Sequence, residues 1–198
     1  RMVVEGMLYR LRVGCAWRDL PTCFGRWNSV YKKFNEWSKK GKWLTLFKTL
    51  TQEPDTEWIF IDGSYVKAHQ HSAGAQGVEP QAIGKSRAGN TTKIHLAVDS
   101  YGLPIEFTVT GGEIHDSTAA SELIEKLPPT IAIVADKGYD SGKIREQIKS
   151  KGADAVIPRR SNSVAGNGDM NWSLYRDRHL VENAFARLKQ FRGLATRY

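Results

Sequence analysis

Three carboxylates in this sequence stand where they could do chemistry together. Asp62 ends the apolar run Trp58-Ile-Phe-Ile, and Asp136 ends the run Ile131-Ala-Ile-Val-Ala. Continuous apolar runs bounded by turn residues read as strands buried on both faces, and strand ends are where α/β sheets build sites. If the two strands are neighbours, their carboxylates point into one place and repel unless a proton or a cation lies between them. Hard divalent cations with oxygen ligands, Mg²⁺ or Mn²⁺, fill that role. Glu182, from a C-terminal helix, would complete a cluster able to hold two ions. Such a pair, about 3.5–4 Å apart, activates an attacking oxygen and stabilises a leaving one at a phosphodiester. The plain alternative stays open, because the chain has 21 acids and two at strand ends is unremarkable by itself. Asp99, Asp116 and Asp140 have structural readings as a turn residue, a helix N-cap and a residue favoured by a helix dipole. His69, His71, His95, His115 and His179 show no close ligand spacing and read as packing or surface residues.

The element that must deliver Glu182 runs from Tyr175 to Lys189 without Gly or Pro. Leu174, Val181, Phe185 and Leu188 recur at helical spacing, which predicts one amphipathic helix. Ser173 or Asn171 offers the N-cap and Gly193 the stop. On a helical wheel Tyr175, Arg178, Glu182 and Lys189 share a narrow stripe, roughly 80° from the apolar centre at 100° per residue. One carboxylate would then sit among two cations and a phenol. A salt-bridged surface helix has the same pattern.

The remaining elements follow in chain order. Residues 1–50 read as a small helical domain, with Val4, Met7, Leu8 and Leu11 on one apolar face and Val30, Phe34 and Trp37 on another. Asn28 or Ser29 would cap the second helix, and Trp43, Leu44, Phe47 and Leu50 follow the break at Gly41. Thr51–Asp55 is a polar linker, so a second domain is expected over 56–198. Residues 72–90 read as a long loop carrying Lys85 and Arg87, of the kind that is usually functional. A hairpin follows, with Ile94, Leu96 and Val98 alternating with Lys93, His95 and Ala97 across the turn Asp99-Ser-Tyr-Gly102. Asp116 or Ser117 caps a helix to Leu127, and Ser141 opens another to about Ser150. Ala153–Ile157 is a last short strand. The order gives an α/β fold, a mixed sheet with helices packed on it.

Charge is distributed unevenly. Residues 1–50 carry eleven Lys or Arg against three acids, residues 51–156 ten against fifteen, and residues 157–198 eight against three. A basic head and tail around an acidic middle suit a polyanion held at both ends, with Lys32 and Lys33 as head contacts. Two cysteines are too few for a zinc site and read as reduced cytosolic thiols. No apolar run approaches the roughly 18 residues a membrane span needs, and no signal peptide is visible.

Several segments resemble one known family. Tyr175-x2-Arg178-x3-Glu182-x6-Lys189 is similar to the tyrosine–arginine–glutamate–lysine signature of bacterial insertion-sequence transposases of the DDE class. Asp62-Gly-Ser-Tyr-Val-Lys-Ala-His69 and Asp136-Lys-Gly-Tyr-Asp140-Ser resemble the segments around that family's first and second catalytic aspartates. Thr91-Thr-Lys-Ile-His95, Gly112-Glu-Ile-His115-Asp116 and Trp17-Arg-Asp-Leu-Pro21 to Trp37 resemble further family segments. The resemblance implies a ribonuclease H-like mixed five-stranded sheet flanked by helices, preceded by a small helical DNA-binding domain. It implies Asp62, Asp136 and Glu182 as catalytic metal ligands for Mg²⁺ or Mn²⁺, two ions in all. The implied reaction cuts the ends of a mobile element and joins the freed 3′-hydroxyl to target DNA. Tyr175, Arg178 and Lys189 would contact DNA phosphates, joined by Lys32, Lys33, Lys85 and Arg87. A homodimer in a bacterial, nucleoid-associated cytoplasmic setting is implied, with no membrane role. Family members usually continue beyond both ends, so the chain looks clipped. Two other readings remain: a non-catalytic DNA-binding remnant, and a nuclease of the same fold.

Overall fold

In the computed structural model, which describes residues 1–69, 72, 81–161 and 163–197, the two apolar runs that end in aspartate lie side by side. β1 (Trp58–Ala68) grows from the first run and continues past Asp62. β2 (Gly84–Ser86), β3 (Gly89–Val98) and β4 (Pro104–Gly111) follow, with β2 and β4 both antiparallel to β3. β3 is also antiparallel to β1, and β5 (Ala132–Ala135) lies parallel to β1 on its other edge. β6 (Asp154–Val156) extends the sheet parallel to β5, and the short β7 (Thr196–Arg197) pairs with the far end of β1. The five principal strands therefore run in the order β4, β3, β1, β5, β6 with β3 alone reversed. This is the mixed ribonuclease H-like sheet expected from the resemblance, with β2 and β7 as additions.

Alternation along the strands divides two helical layers. Ile59, Ile61, Ala97, Ile133 and Ala135 pack under α4 (Asp116–Lys126) and α5 (Gly142–Ser150), against Leu123, Ile144 and Ile148. Phe60, Leu96, Val98 and Val134 face α6 (Trp172–Arg176) and α7 (His179–Lys189), against Leu174, Val181 and Phe185. Covered on both sides, the middle of the sheet carries apolar runs rather than in–out alternation.

The N-terminal helices α1 (Met2–Val13), α2 (Trp27–Lys39) and α3 (Lys42–Leu50) gather Met7, Leu20 and Val30 beneath Trp17, Phe24, Phe34 and Trp43. α1 docks against α8 (Arg192–Ala195): Arg12 lies 5.0 Å over the Phe191 ring, and a Cβ on Gly193 would stand 3.0 Å from the Leu11 carbonyl oxygen. Phe47 of α3 meets Phe107 of β4 edge-on at 5.4 Å. The head thus leans on the element that directly follows α7.

Several sequence expectations change. Gly193 does not stop α7; it sits inside α8, where its lack of a side chain lets α1 approach. The expected single helix is two. Asp177, Arg178, Leu180 and Val181 each bond back three residues, which tightens the turn and separates α6 from α7. Of the two proposed N-caps, Asn171 serves, accepting from the Leu174 amide at 3.0 Å. α2 begins at Trp27 after Arg26, without a side-chain cap from Asn28 or Ser29. α4 is capped by His115, not by Asp116 or Ser117. Leu8, Leu44 and Leu50 are exposed rather than core. The loop expected over 72–90 is β2 and its hairpin from Gly84 onward, while His71 and residues 73–80 lie outside the described residues.

Candidate active site

Parallel pairing places the two aspartates. Ile61 and Ala135 are register partners, so Asp62 and Asp136 are the next residues along two adjacent strands pointing the same way. Each then folds one oxygen back onto a nearby glycine amide. Asp62 Oδ1 accepts from Gly63 N at 2.8 Å, and Asp136 Oδ1 accepts from Gly138 N at 2.7 Å. These bonds orient both carboxylates while leaving each a second oxygen.

Glu182 comes from the first turn of α7, whose buried face holds Val181, Ala184 and Phe185 on the sheet. Arg178 joins it to Asp62. One guanidinium nitrogen lies 3.1 Å from Asp62 Oδ2 and the other bonds Glu182 Oε1. The Arg178 and Asp62 side chains are each 21% exposed, whereas Glu182 is 51% exposed. Burial pushes the Asp62 carboxyl above its ordinary value, and repulsion from Asp136 and Glu182 adds to this. The Gly63 amide and Arg178 pull the other way. Three carboxylates are hard oxygen donors of the kind that suit Mg²⁺ or Mn²⁺. Among the described residues, no group of three or more His, Cys, Asp or Glu is drawn close enough to hold an ion as it stands. Arg178 fills the place between Asp62 and Glu182.

The other expected contacts scatter. Tyr175 is half-buried, edge-on to Trp172 at 5.7 Å, with Arg178 5.9 Å above its ring. Lys189 is exposed beside Ser64, Val66 and Leu194, seven residues after Glu182 and so about 10 Å further along α7. Lys85 and Arg87 are exposed on the β2–β3 hairpin, at the Ala68 end of β1. Lys32 is exposed on α2, but Lys33 is engaged with Glu36 at 2.9 Å. Asp62 and Asp136 are half-buried, whereas Glu182 is exposed. A cleft of about 620 Å³ lies beside β6, lined by Trp58, Arg145, Arg159 and Asp169.

Behind Asp62, on the opposite face of the sheet, lies a polar cluster that sequence reasoning passed over. Lys93 is 5% exposed on its side chain and pairs with Asp116. His95 Nδ1 is 3.7 Å from the same carboxylate, and its Nε2 is 3.2 Å from Thr110 Oγ1. Burial lowers the His95 pKa to about 4. For Lys93, burial acts to lower the ammonium, but the bond to Asp116 and its charge outweigh this and raise it. The available signal was polarity inside a strand that could not be an edge: Thr91, Thr92, Lys93 and His95 are all buried on β3.

A family described as "Putative transposase of IS4/5 family (DUF4096)" matches residues 1–47, and one described as "Transposase DDE domain" matches residues 53–168. The "Putative transposase for insertion sequence element IS6501" of Brucella ovis is 34% identical over 111 residues, covering 54% of this chain and 82% of that protein. The "Putative transposase for insertion sequence element IS402" of Burkholderia cepacia is 30% identical over 131 residues, 60% of this chain and 58% of that protein. The "Uncharacterized protein y4sN" of Sinorhizobium fredii is 37% identical over 76 residues, and the chain spans 61% of its length. Among solved structures, a pre-cleavage Mos1 transpososome aligns with 95% of this chain and 70% of its own at 10% identity, with a TM-score of 0.35.

Proposed function

This chain belongs to the DDE-domain transposases of insertion sequences, and from that premise we propose that it cuts the ends of its element and joins the 3′-hydroxyl to target DNA. The observation that carries the reading is the pairing of Ile61 with Ala135, which brings Asp62 and Asp136 side by side, with Glu182 tied to Asp62 through Arg178. Asp62, Asp136 and Glu182 would hold Mg²⁺ or Mn²⁺. The bound ions supply activation of the attacking oxygen and neutralisation of the leaving one. The Gly63 and Gly138 amides keep the aspartates aimed. Arg178 has a fork of donors matched to phosphate, so a backbone phosphate can take it from Asp62 and Glu182. Lys189, further along the same face, extends the phosphate track, and Tyr175 supports the Arg178 guanidinium. Lys32, Lys33, Lys85 and Arg87 add distant phosphate contacts. Two ends held together need two copies of the chain, so a homodimer is the working assembly.

The test is cleavage and strand transfer on cognate end sequences with Mg²⁺. Asp62→Asn, Asp136→Asn and Glu182→Gln should each abolish both steps while DNA affinity persists. Unchanged cleavage in any of them refutes the assignment. A second reading, a chain that binds DNA without cutting it, draws support from Arg178 standing between Asp62 and Glu182. It requires salt-sensitive DNA binding with no cleavage by the unaltered chain.

A further inference from the structure

Gly63 and Gly138, whose amides orient the two aspartates, share a neighbour. A Cβ on Gly63 would stand 3.1 Å from Asp116 Oδ1, and one on Gly138 would stand 3.5 Å from Asp116 Oδ2. One carboxylate thus presses one oxygen against each backbone segment that carries a proposed ligand. Asp116 is in turn held by Lys93, whose side chain is almost wholly buried and whose Cε would be 3.0 Å from the same Gly63 Cβ. Tyr139 packs its hydroxyl 3.1 Å from that position as well, and among the described residues this hydroxyl has no hydrogen-bond partner.

This arrangement is not what stability alone favours. Lys93 is buried and Asp116 half-buried, and an ion pair withdrawn from water is commonly matched or bettered by apolar residues of similar size. The helix does not require Asp116 either, since His115 caps α4. What the pair does do is bridge β1 to the turn after β5, at the level where the pairing of β1 with β5 ends. From this we propose that Asp116, anchored by Lys93, is a positioning residue that sets the separation of Asp62 from Asp136. The inference rests on the reading that those two aspartates hold the metal.

The test is Mn²⁺ binding by the folded, DNA-free protein, measured by calorimetry well below its melting temperature. Asp116→Asn keeps the shape and removes the charge. It should weaken Mn²⁺ binding by about tenfold or more, the usual effect of losing a group that orients a metal's ligands. The paired variant Lys93→Met/Asp116→Leu removes the buried ammonium and its partner carboxylate together, so it carries the same test should the single variant fail to fold. It should melt near the unaltered protein yet bind Mn²⁺ as weakly as Asp116→Asn. A purely structural role predicts altered melting with unchanged Mn²⁺ affinity, and that result overturns the proposal. Asp62→Asn, measured alongside, separates the two levels. Weak binding there with full binding in the Asp116 and paired variants removes the positioning role alone. Full binding in Asp62→Asn removes the metal-site reading and the inference with it.

Discussion

Replacing Arg178 with Met should destabilise the metal-free chain and make Mn²⁺ stabilise it more than it stabilises the unaltered protein. The guanidinium sits 3.1 Å from Asp62 Oδ2, with both side chains 21% exposed. With charge centres about 4 Å apart and an effective dielectric constant near 20, the attraction is about 4 kcal/mol. Part of that is returned when Arg178 no longer has to be desolvated. Its bond to the half-exposed Glu182 contributes less than about 1 kcal/mol. A net loss of about 2 kcal/mol follows, below the 3–5 kcal/mol typical of breaking a fully buried pair. For a chain of this size that lowers Tm by about 4–8 °C. Mn²⁺ reverses the order. In the unaltered chain the ion must displace Arg178, whereas in the variant Asp62 and Glu182 are already free. At about one hundred times Kd the ion adds about 2.7 kcal/mol, enough to restore the loss. Calorimetric melts in chelator and in Mn²⁺ read both halves. An unchanged Tm in chelator, or a smaller Mn²⁺ shift in the variant, would refute the reasoning.

Asp62→Asn should raise the Tm of metal-free protein at pH 7. The folded-state pKa of Asp62 is raised, so its contribution to stability is complete below the unfolded value and lost as pH rises through the folded one. Asparagine avoids that loss, and its advantage should fade as pH falls into the ordinary carboxylate range; a lower Tm at pH 7 would contradict this. His95 titrates in the opposite sense. Its pKa falls from 6.5 to about 4, so stability is present above 6.5 and declines toward pH 4 as the unfolded chain takes up the proton. About 3 kcal/mol is at stake, at 1.36 kcal/mol per unit, and a His95→Gln variant that kept the same acid slope would exclude His95 as its source. For DNA, Lys85→Glu and Arg87→Glu should each reduce the salt slope by about 0.9 for each phosphate left without its cation, and a constant slope would mean the hairpin stays in solvent. Lys32→Glu should act more strongly than Lys33→Glu, because Lys33 already serves Glu36, and equal effects would deny that pairing a role.

The parts of this fold that were legible in the sequence are those where a single physical demand governs. Burial on both faces requires an unbroken apolar run, so β1 and β5 and their terminal aspartates could be read directly. The same demand hid the polar cluster. Lys93 and His95 alternate with Ile94, Leu96 and Val98, and period-two alternation normally means a solvent face. α7 covers one face of β3 and α4 the other, and Lys93 and His95 are buried on the second face because they serve Asp116. Asp116 itself was disguised by position. An aspartate at the start of a helix reads as a cap, but His115 makes that bond and leaves Asp116 free to face the sheet. The break at Asp177 was equally silent, since no Gly or Pro marks it. Its i→i−3 bonds tighten the turn that carries Arg178, which reaches both Asp62 and Glu182.

The three acids differ in how firmly they are held, and the difference follows from the elements that bring them. Asp62 and Asp136 are fixed by strand register and by glycine amides. Moving one relative to the other requires breaking the buried pairing of β1 with β5. Glu182 rides on α7, which is attached chiefly through the apolar contacts of Val181, Ala184 and Phe185, with Arg187 donating to the Gly102 carbonyl at 2.9 Å, and which is followed by α8. Apolar packing is nondirectional, so a helix held this way can shift at lower cost than a hydrogen-bonded strand. The specific polar tie between Glu182 and the sheet is Arg178. Whatever takes up the Arg178 guanidinium therefore also frees Glu182, and whatever replaces its charge between the carboxylates draws Glu182 back. Because α1 docks on α8, the head bears on the element that directly follows the helix carrying Glu182.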